Sequence, residues 1–315
     1  MSGLILSYPP ASNFAILPKR NHVPISEYDL IDPLRNSQAQ EPAAPPIAPA
    51  WHTIVLVVGI IALSIHSAHR LSAIHGPIDR LATYGFSAAM EAAMLAWVVL
   101  GLRLNKTSLR SLLGSFSFNI RSIATDMGFA LVFWLCSLMV MGTLGIAWSG
   151  VEAALTHRQA AAHAARQTEQ AGQMVQAGQT GKADQALAPD AEQLERLRAL
   201  AQLAPANGRE IAAWALLCLL VGFIEEIVFR GYLQRQFIGW ARGGVAAGVF
   251  ASAIVFGSAH AYQGVRGMVL LTVFGVLFSL LALYRRSLRA GIFAHAWHDL
   301  IAGLALALLK SNHVI

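Results

Sequence analysis

The stretch "EIAAWALLCLLVGFIEEIVFRGYLQRQ", residues 210 to 236, decides how this chain folds. It is apolar from Ile211 to Ile224 and then brings Glu225, Glu226 and Arg230 in quick succession. A hydrocarbon core of ~30 Å is crossed by about 20 mostly apolar helical residues, and this run is long enough. Each charge at mid-bilayer costs roughly 2.5 to 3.5 kcal/mol on insertion scales. Two carboxylates and a guanidinium at the end of such a span therefore need a reason.

The same pattern recurs on both sides of this run. Further candidate spans lie at 52–69, 83–102, 123–148, 244–261, 267–284 and 289–309. The 315 residues are 56% hydrophobic and 13% charged, against about 25% charged for an ordinary soluble domain. Only helices or closed barrels satisfy the backbone inside lipid, and the runs show neither barrel-like alternation nor hairpin turns. The expected fold class is all-α: a polytopic transmembrane helical bundle of about seven spans, with a polar N-terminal tail and an Ala/Gln-rich insertion.

The net charge of +6 is explained by topology rather than by nucleic acid, which is rejected as a partner. With spans alternating sides, one face receives Arg103, Lys106, Arg110, Arg121, Arg235, Arg242, Arg285, Arg286 and Arg289. The other receives Arg70, Arg80, Arg266 and Lys310. Positive charge marks the cytoplasmic side, so the N-terminus is expected inside. Residues 1–20 lack a charged start followed by a sustained apolar core, so no cleavable signal peptide is expected. Cys136 and Cys218 both fall in apolar spans and imply no disulfide framework.

Five segments follow. Residues 1–50 form a polar, Pro-rich tail ending in "EPAAPPIAPA"; 51–149 hold the N-terminal membrane helices; 150–208 form an extramembrane insertion. The insertion is rich in Ala and Gln, which favour helix, and is interrupted by glycines and "APD", so a helical hairpin is expected there. Residues 209–310 form the membrane core that carries the chemistry, and 311–315 a short tail.

Three late stretches carry ionisable groups: "EEIVFR" at 225–230, "FGSAH" at 256–260 and "HAWHD" at 295–299. Glu226 and Arg230 stand four residues apart, acid before base, the favourable orientation for an ion pair on a helix. Glu225 is rotated about 100° from Glu226, so the two carboxylates point in different directions. One can be structural while the other faces a cavity. His295 and Asp299 share a face, with His298 beside them, and His260 closes the fifth span. Amide hydrolysis needs a base for water, a group to hold that water and donors for the oxyanion. A His-His-carboxylate set could equally ligate zinc with one position open, and residue type and spacing admit both. Glu91 in the second span and Asp126 at the start of the third can hydrogen-bond within the bundle, and neither is assigned to the site. No His-Glu-x-x-His occurs, which excludes the ordinary zincin motif.

At these residues the chain resembles the CAAX-processing and bacteriocin-processing intramembrane endopeptidase family (CPBP, ABI). The family pattern of Glu-Glu-x-x-x-Arg, Phe-x-x-x-His and His-x-x-x-Asn or Asp reads here Glu225–Arg230, Phe256–His260 and His295–Asp299. The likeness covers roughly residues 205 to 303. It implies a membrane endopeptidase acting on a peptide or protein substrate, lipidated or leader-bearing, with its site among the helices. By that resemblance Glu225 activates water and His260 holds and polarises it. His295 and Asp299 stabilise the oxyanion, while Glu226 and Arg230 support the site. The resemblance leaves zinc open; if bound, its ligands would come from His260, His295, Glu225 and Asp299. Asp299 stands where many members have Asn, and an ionised Asp cannot donate to an oxyanion. It must therefore carry a proton, orient His295 or bind a metal.

For His260 to meet Glu225 and His295 at one depth, the fourth helix must continue to about Gln236 and "AYQGVRG" must dip back into the protein. A bacterial inner membrane is the expected location. The alternative function is non-enzymatic: a proton-coupled carrier or a bacteriocin-immunity scaffold using the same groups.

Overall fold

The computed structural model describes residues 45–72, 78–114, 118–174, 189–312 and 314. Most of the N-terminal tail, the middle of the Ala/Gln-rich insertion at 175–188 and part of the C-terminal tail lie outside them. The described chain is helical: α1 (Ala50–Ser72), α2 (Arg80–Leu104), α3 (Leu109–Leu113), α4 (Ile120–Met174), α5 (Pro189–Leu203) and α6 (Gly208–Glu225) come first. A π-helical segment (Glu226–Leu233) joins α6 to α7 (Gln234–Trp240). Then come α8 (Val245–Ser258), a 3₁₀ turn (Ala261–Gln263), α9 (Gly264–Arg285) and α10 (Arg289–Ser311).

Among the described residues six helical stretches are long and apolar enough to cross a membrane: 50–70, 80–104, 120–162, 208–240, 261–285 and 289–311. Protein buries only 11% to 39% of the apolar window in each. That is the inverse of a soluble core, and it makes lipid the solvent of their outer faces. The protein is an integral membrane protein. The seventh run is the shorter helix α8, whose 14 residues reach only about 21 Å, less than the ~30 Å hydrocarbon core. His260 at its end therefore falls inside the bundle. The backbone then turns once, with the Ala261 N–H donating to Ser64 Oγ on α1 at 3.0 Å, before α9 begins.

The helix starts follow local chemistry. Asp79 caps α2 by accepting the Ala82 N–H, and Asn207 caps α6 by accepting the Glu210 N–H. The Glu210 carboxylate turns back to accept the Ala206 N–H at 2.8 Å, a variant of the capping box. Both ends of the bundle are tied by polar contacts. At the basic end, Asp126 of α4 accepts from Arg285 at 2.6 Å and pairs with Arg289. There Arg235 donates to Ser111 O at 2.7 Å, and the Leu288 N–H to Leu113 O at 3.2 Å. At the opposite end Arg80 pairs with Glu210 at 3.3 Å. Tyr84 Oη donates to Leu203 O at 2.6 Å, and Lys310 to Gln202 Oε1 at 2.9 Å, which pins α5 to α2 and α10. Helix α4 runs unbroken from the third span into the Ala/Gln-rich insertion. Its 55 residues extend about 82 Å at 1.5 Å per residue, so it projects well beyond the bilayer.

Helix α6 and its π-helical continuation form the centre. Every residue from Ile224 to Gln234 is buried, so this part of the span shows no face to lipid. Ile227, Val228, Phe229, Tyr232 and Leu233 pack there against Phe256, Phe274 and Phe278.

Candidate active site

Helices α6 and α10 meet backbone to backbone. A Cβ at Gly222 would lie 2.9 Å from the Ala296 nitrogen, so any side chain there would push the helices apart. One turn later this approach sets the acids of α6 against the ring of His295. Glu226 Oε1 lies 3.0 Å from His295 Nδ1. Glu225 Oε2 lies 3.6 Å from Nε2, and Asp299 Oδ2 lies 3.7 Å from the same nitrogen. The two carboxylates that diverge on their own helix thus clasp the two nitrogens of one imidazole. The turn begins to widen into a π-helix at this point, a feature frequent at functional sites.

Glu226 is fully buried and also faces Arg230 Nη1 at 3.0 Å. Charges so buried persist only when paired. The guanidinium carbon lies 4.3 Å from the centre of the Phe256 ring and 5.0 Å from that of Phe278, a stacking that stabilises the cation further. The expected i to i+4 pair is present, and His295 joins it as a third member. Gly291 on α10 makes room for it, since a Cβ there would stand 2.8 Å from Glu226 Oε2.

His260 does not hydrogen-bond to Glu225 or His295. Its Nδ1 lies 2.8 Å from Phe256 O. A carbonyl only accepts, so Nδ1 carries the hydrogen and Nε2 presents its lone pair. The Phe256 ring touches both histidines, its centroid 4.9 Å from that of His260 and 6.0 Å from that of His295. Asp299 and His295 are nonetheless close enough to His260 to interact electrostatically. His298 packs its ring on Phe274 at 4.8 Å and lies near Asp299.

Two groups that the sequence reading left out border the same region. Glu91 of α2 interacts electrostatically with Glu225, His295 and Asp299, and its Oε2 is buried without a hydrogen-bond partner. Glu91, left out of the site on sequence, thus stands beside it. Its signal was available: an acid inside a membrane span is a functional candidate by default. Tyr262 in the 3₁₀ turn interacts with Glu225, Asp299 and Glu91, and nothing in "AYQGV" marked it. Asp126, by contrast, is held in the arginine cluster at the basic end.

Among the described residues, no three His, Cys, Asp or Glu side chains stand close enough to hold one metal ion. His295 turns both ring nitrogens to carboxylates, and His260 Nδ1 is engaged by Phe256 O. As arranged, the candidate ligands do not fit zinc.

Residues 207–301 match a family model, Rce1-like, described as type II CAAX prenyl endopeptidase Rce1-like. The match runs from the cap of α6 into α10 and holds Glu225, Glu226, Arg230, His260, His295 and Asp299, while α1 to α5 lie outside it. Comparison with curated proteins and with solved structures gave no significant match. The helices that gather these acids and histidines, residues 207–301, thus match the Rce1-like type II CAAX prenyl endopeptidase model within an integral membrane protein.

Proposed function

We propose that this protein is an intramembrane endopeptidase that hydrolyses a peptide bond with water activated by Glu225. The observation that carries the reading is the clasp on His295, in which Glu226 takes Nδ1 at 3.0 Å while Glu225 and Asp299 face Nε2. With Nδ1–H given to Glu226, Nε2 is the atom left to the reaction. A hydrogen on it donates to the oxyanion as the carbonyl becomes tetrahedral, and Asp299 orients the ring rather than donating itself. Glu225 takes the proton of the attacking water, and the Nε2 lone pair of His260 orients that water. Arg230 pairs with Glu226 at 3.0 Å and fixes its position.

The substrate is a peptide or protein that reaches the site through the membrane, a CAAX-type lipidated C-terminus or a leader-bearing peptide. The arginines gathered at one end of the bundle support a cytoplasmic N-terminus, and a bacterial inner membrane is the proposed location.

Purified protein in liposomes, given farnesylated CAAX-type peptides and an unmodified peptide library, should release fragments that mass spectrometry identifies. Glu225→Gln and His260→Ala should abolish their formation. Cleavage by both variants at the wild-type rate would sink the assignment. Proton-coupled flux with no peptide product would establish the carrier reading instead.

A further inference from the structure

We propose that Glu91, outside the family-matched domain, is the general acid that protonates the leaving nitrogen; this rests on Glu225 being the base of a peptidase. Arg80 meets Glu210 and Tyr84 packs on Trp214, two successive contacts that each join positions 130 apart. Helices α2 and α6 therefore run parallel in register. On that register Glu91 comes level with Val221, one turn or about 6 Å before Glu225 along the shared axis. The carboxyl of Glu91 thus enters the region of the site from a third helix, with Oε2 buried and unpartnered. The groups it interacts with electrostatically are Glu225, His295, Asp299 and Tyr262. Among the described residues no guanidinium pairs with it as Arg230 pairs with Glu226. An isolated carboxylate in such surroundings costs far more than the neutral acid, so Glu91 stands in the site as the proton-bearing partner of Glu225.

The chemistry needs such a partner, because an amide nitrogen departs only once protonated. The attacking water gives one proton to Glu225 as its oxygen bonds to the carbonyl carbon. As the C–N bond breaks, Glu91 gives its proton to the nitrogen, which leaves as a neutral amine beside the new carboxylic acid. The proton on Glu225 then passes to the Glu91 carboxylate, directly or along water, and both groups return to their starting states. A pair of carboxyl groups divided into acid and base is the usual solution where one site must do both.

The test compares a peptide with an aryl ester of the same acyl sequence, whose phenolate leaves without protonation. Glu91→Gln keeps the shape and removes the transferable proton. It should lower the amide-to-ester ratio of kcat/KM by about 10²-fold or more, the usual contribution of general acid catalysis. Continued turnover of the ester reports that the site is still folded. Glu225→Gln should suppress both substrates. A Glu91→Gln variant that loses both reactions equally, or neither, overturns the role of Glu91 while leaving the peptidase reading intact. Wild-type protein that cleaves neither substrate refutes the peptidase reading and this inference with it.

Discussion

Replacing Gly291 by alanine adds one methyl group opposite the fully buried carboxylate of Glu226. The new Cβ would stand 2.8 Å from Glu226 Oε2 and 3.4 Å from its Cδ. Relief to an ordinary van der Waals separation requires a shift of about half an ångström or more. A free side-chain end would absorb that cheaply, but Glu226 is held at 3.0 Å by both His295 Nδ1 and Arg230 Nη1. Moving the carboxylate stretches the histidine contact out of the 2.7–3.2 Å hydrogen-bond range. Overpacking costs about 1 to 3 kcal/mol and a weakened charge-assisted hydrogen bond adds up to about 1.5 to 3. Alanine's helix propensity offsets about 1 kcal/mol of this, so a net loss of about 1.5 to 5 kcal/mol is expected. Activity should suffer further, because displacing a reacting group by ~1 Å can cost about 10²-fold. Thermal unfolding in detergent and kcat/KM on a cleaved peptide measure the two effects. Gly142→Ala on α4 is the control, since nothing lies within 4 Å of a Cβ there. Stability and activity of Gly291→Ala equal to those of the control would refute the idea that Glu226 is pinned against α10.

Three further outcomes are expected. Arg230→Met leaves Glu226 buried with no guanidinium and should cost about 3 to 5 kcal/mol. Adding Glu226→Gln should recover much of that stability in thermal unfolding but none of the peptidase activity, because His295 loses its anchor. Asp126→Asn removes the acid shared by Arg285 and Arg289 and should destabilise by about 2 to 4 kcal/mol, toward the low end for a partly exposed pair. Cleavage per folded molecule should persist, since the cluster lies at the basic end and away from the site. Finally, chelator treatment should leave activity unchanged, and elemental analysis of active protein should find zinc well below one per chain. Inactivation by chelator that added zinc reverses would require a ligand set different from the one described.

The amino-acid sequence by itself determined the solvent and the class of the fold. Crossing hydrocarbon demands a long apolar helix whatever the partners, so each span is legible in its own residues, from "IAAWALLCLLVGFI" to α10. The Glu226–Arg230 pair was legible for the same reason, because four positions on one helix are neighbours by local geometry alone. The motifs of α6, α8 and α10 could be recognised as a set, but not how they meet. Only the tertiary structure decided that Glu225 and Glu226, divergent on their helix, take opposite nitrogens of one ring, and that His260 Nδ1 is held by Phe256 O, which leaves Nε2 to act. It also decided that Glu91 belongs to this region while Asp126 does not. Both are single acids in or beside apolar runs, and their surroundings alone tell them apart. The reason is that convergence depends on the rotation and register of packed helices. Those are set by close approaches such as Gly222 on Ala296 and by end contacts such as Arg80 on Glu210, between residues whose proximity no spacing along the chain reveals.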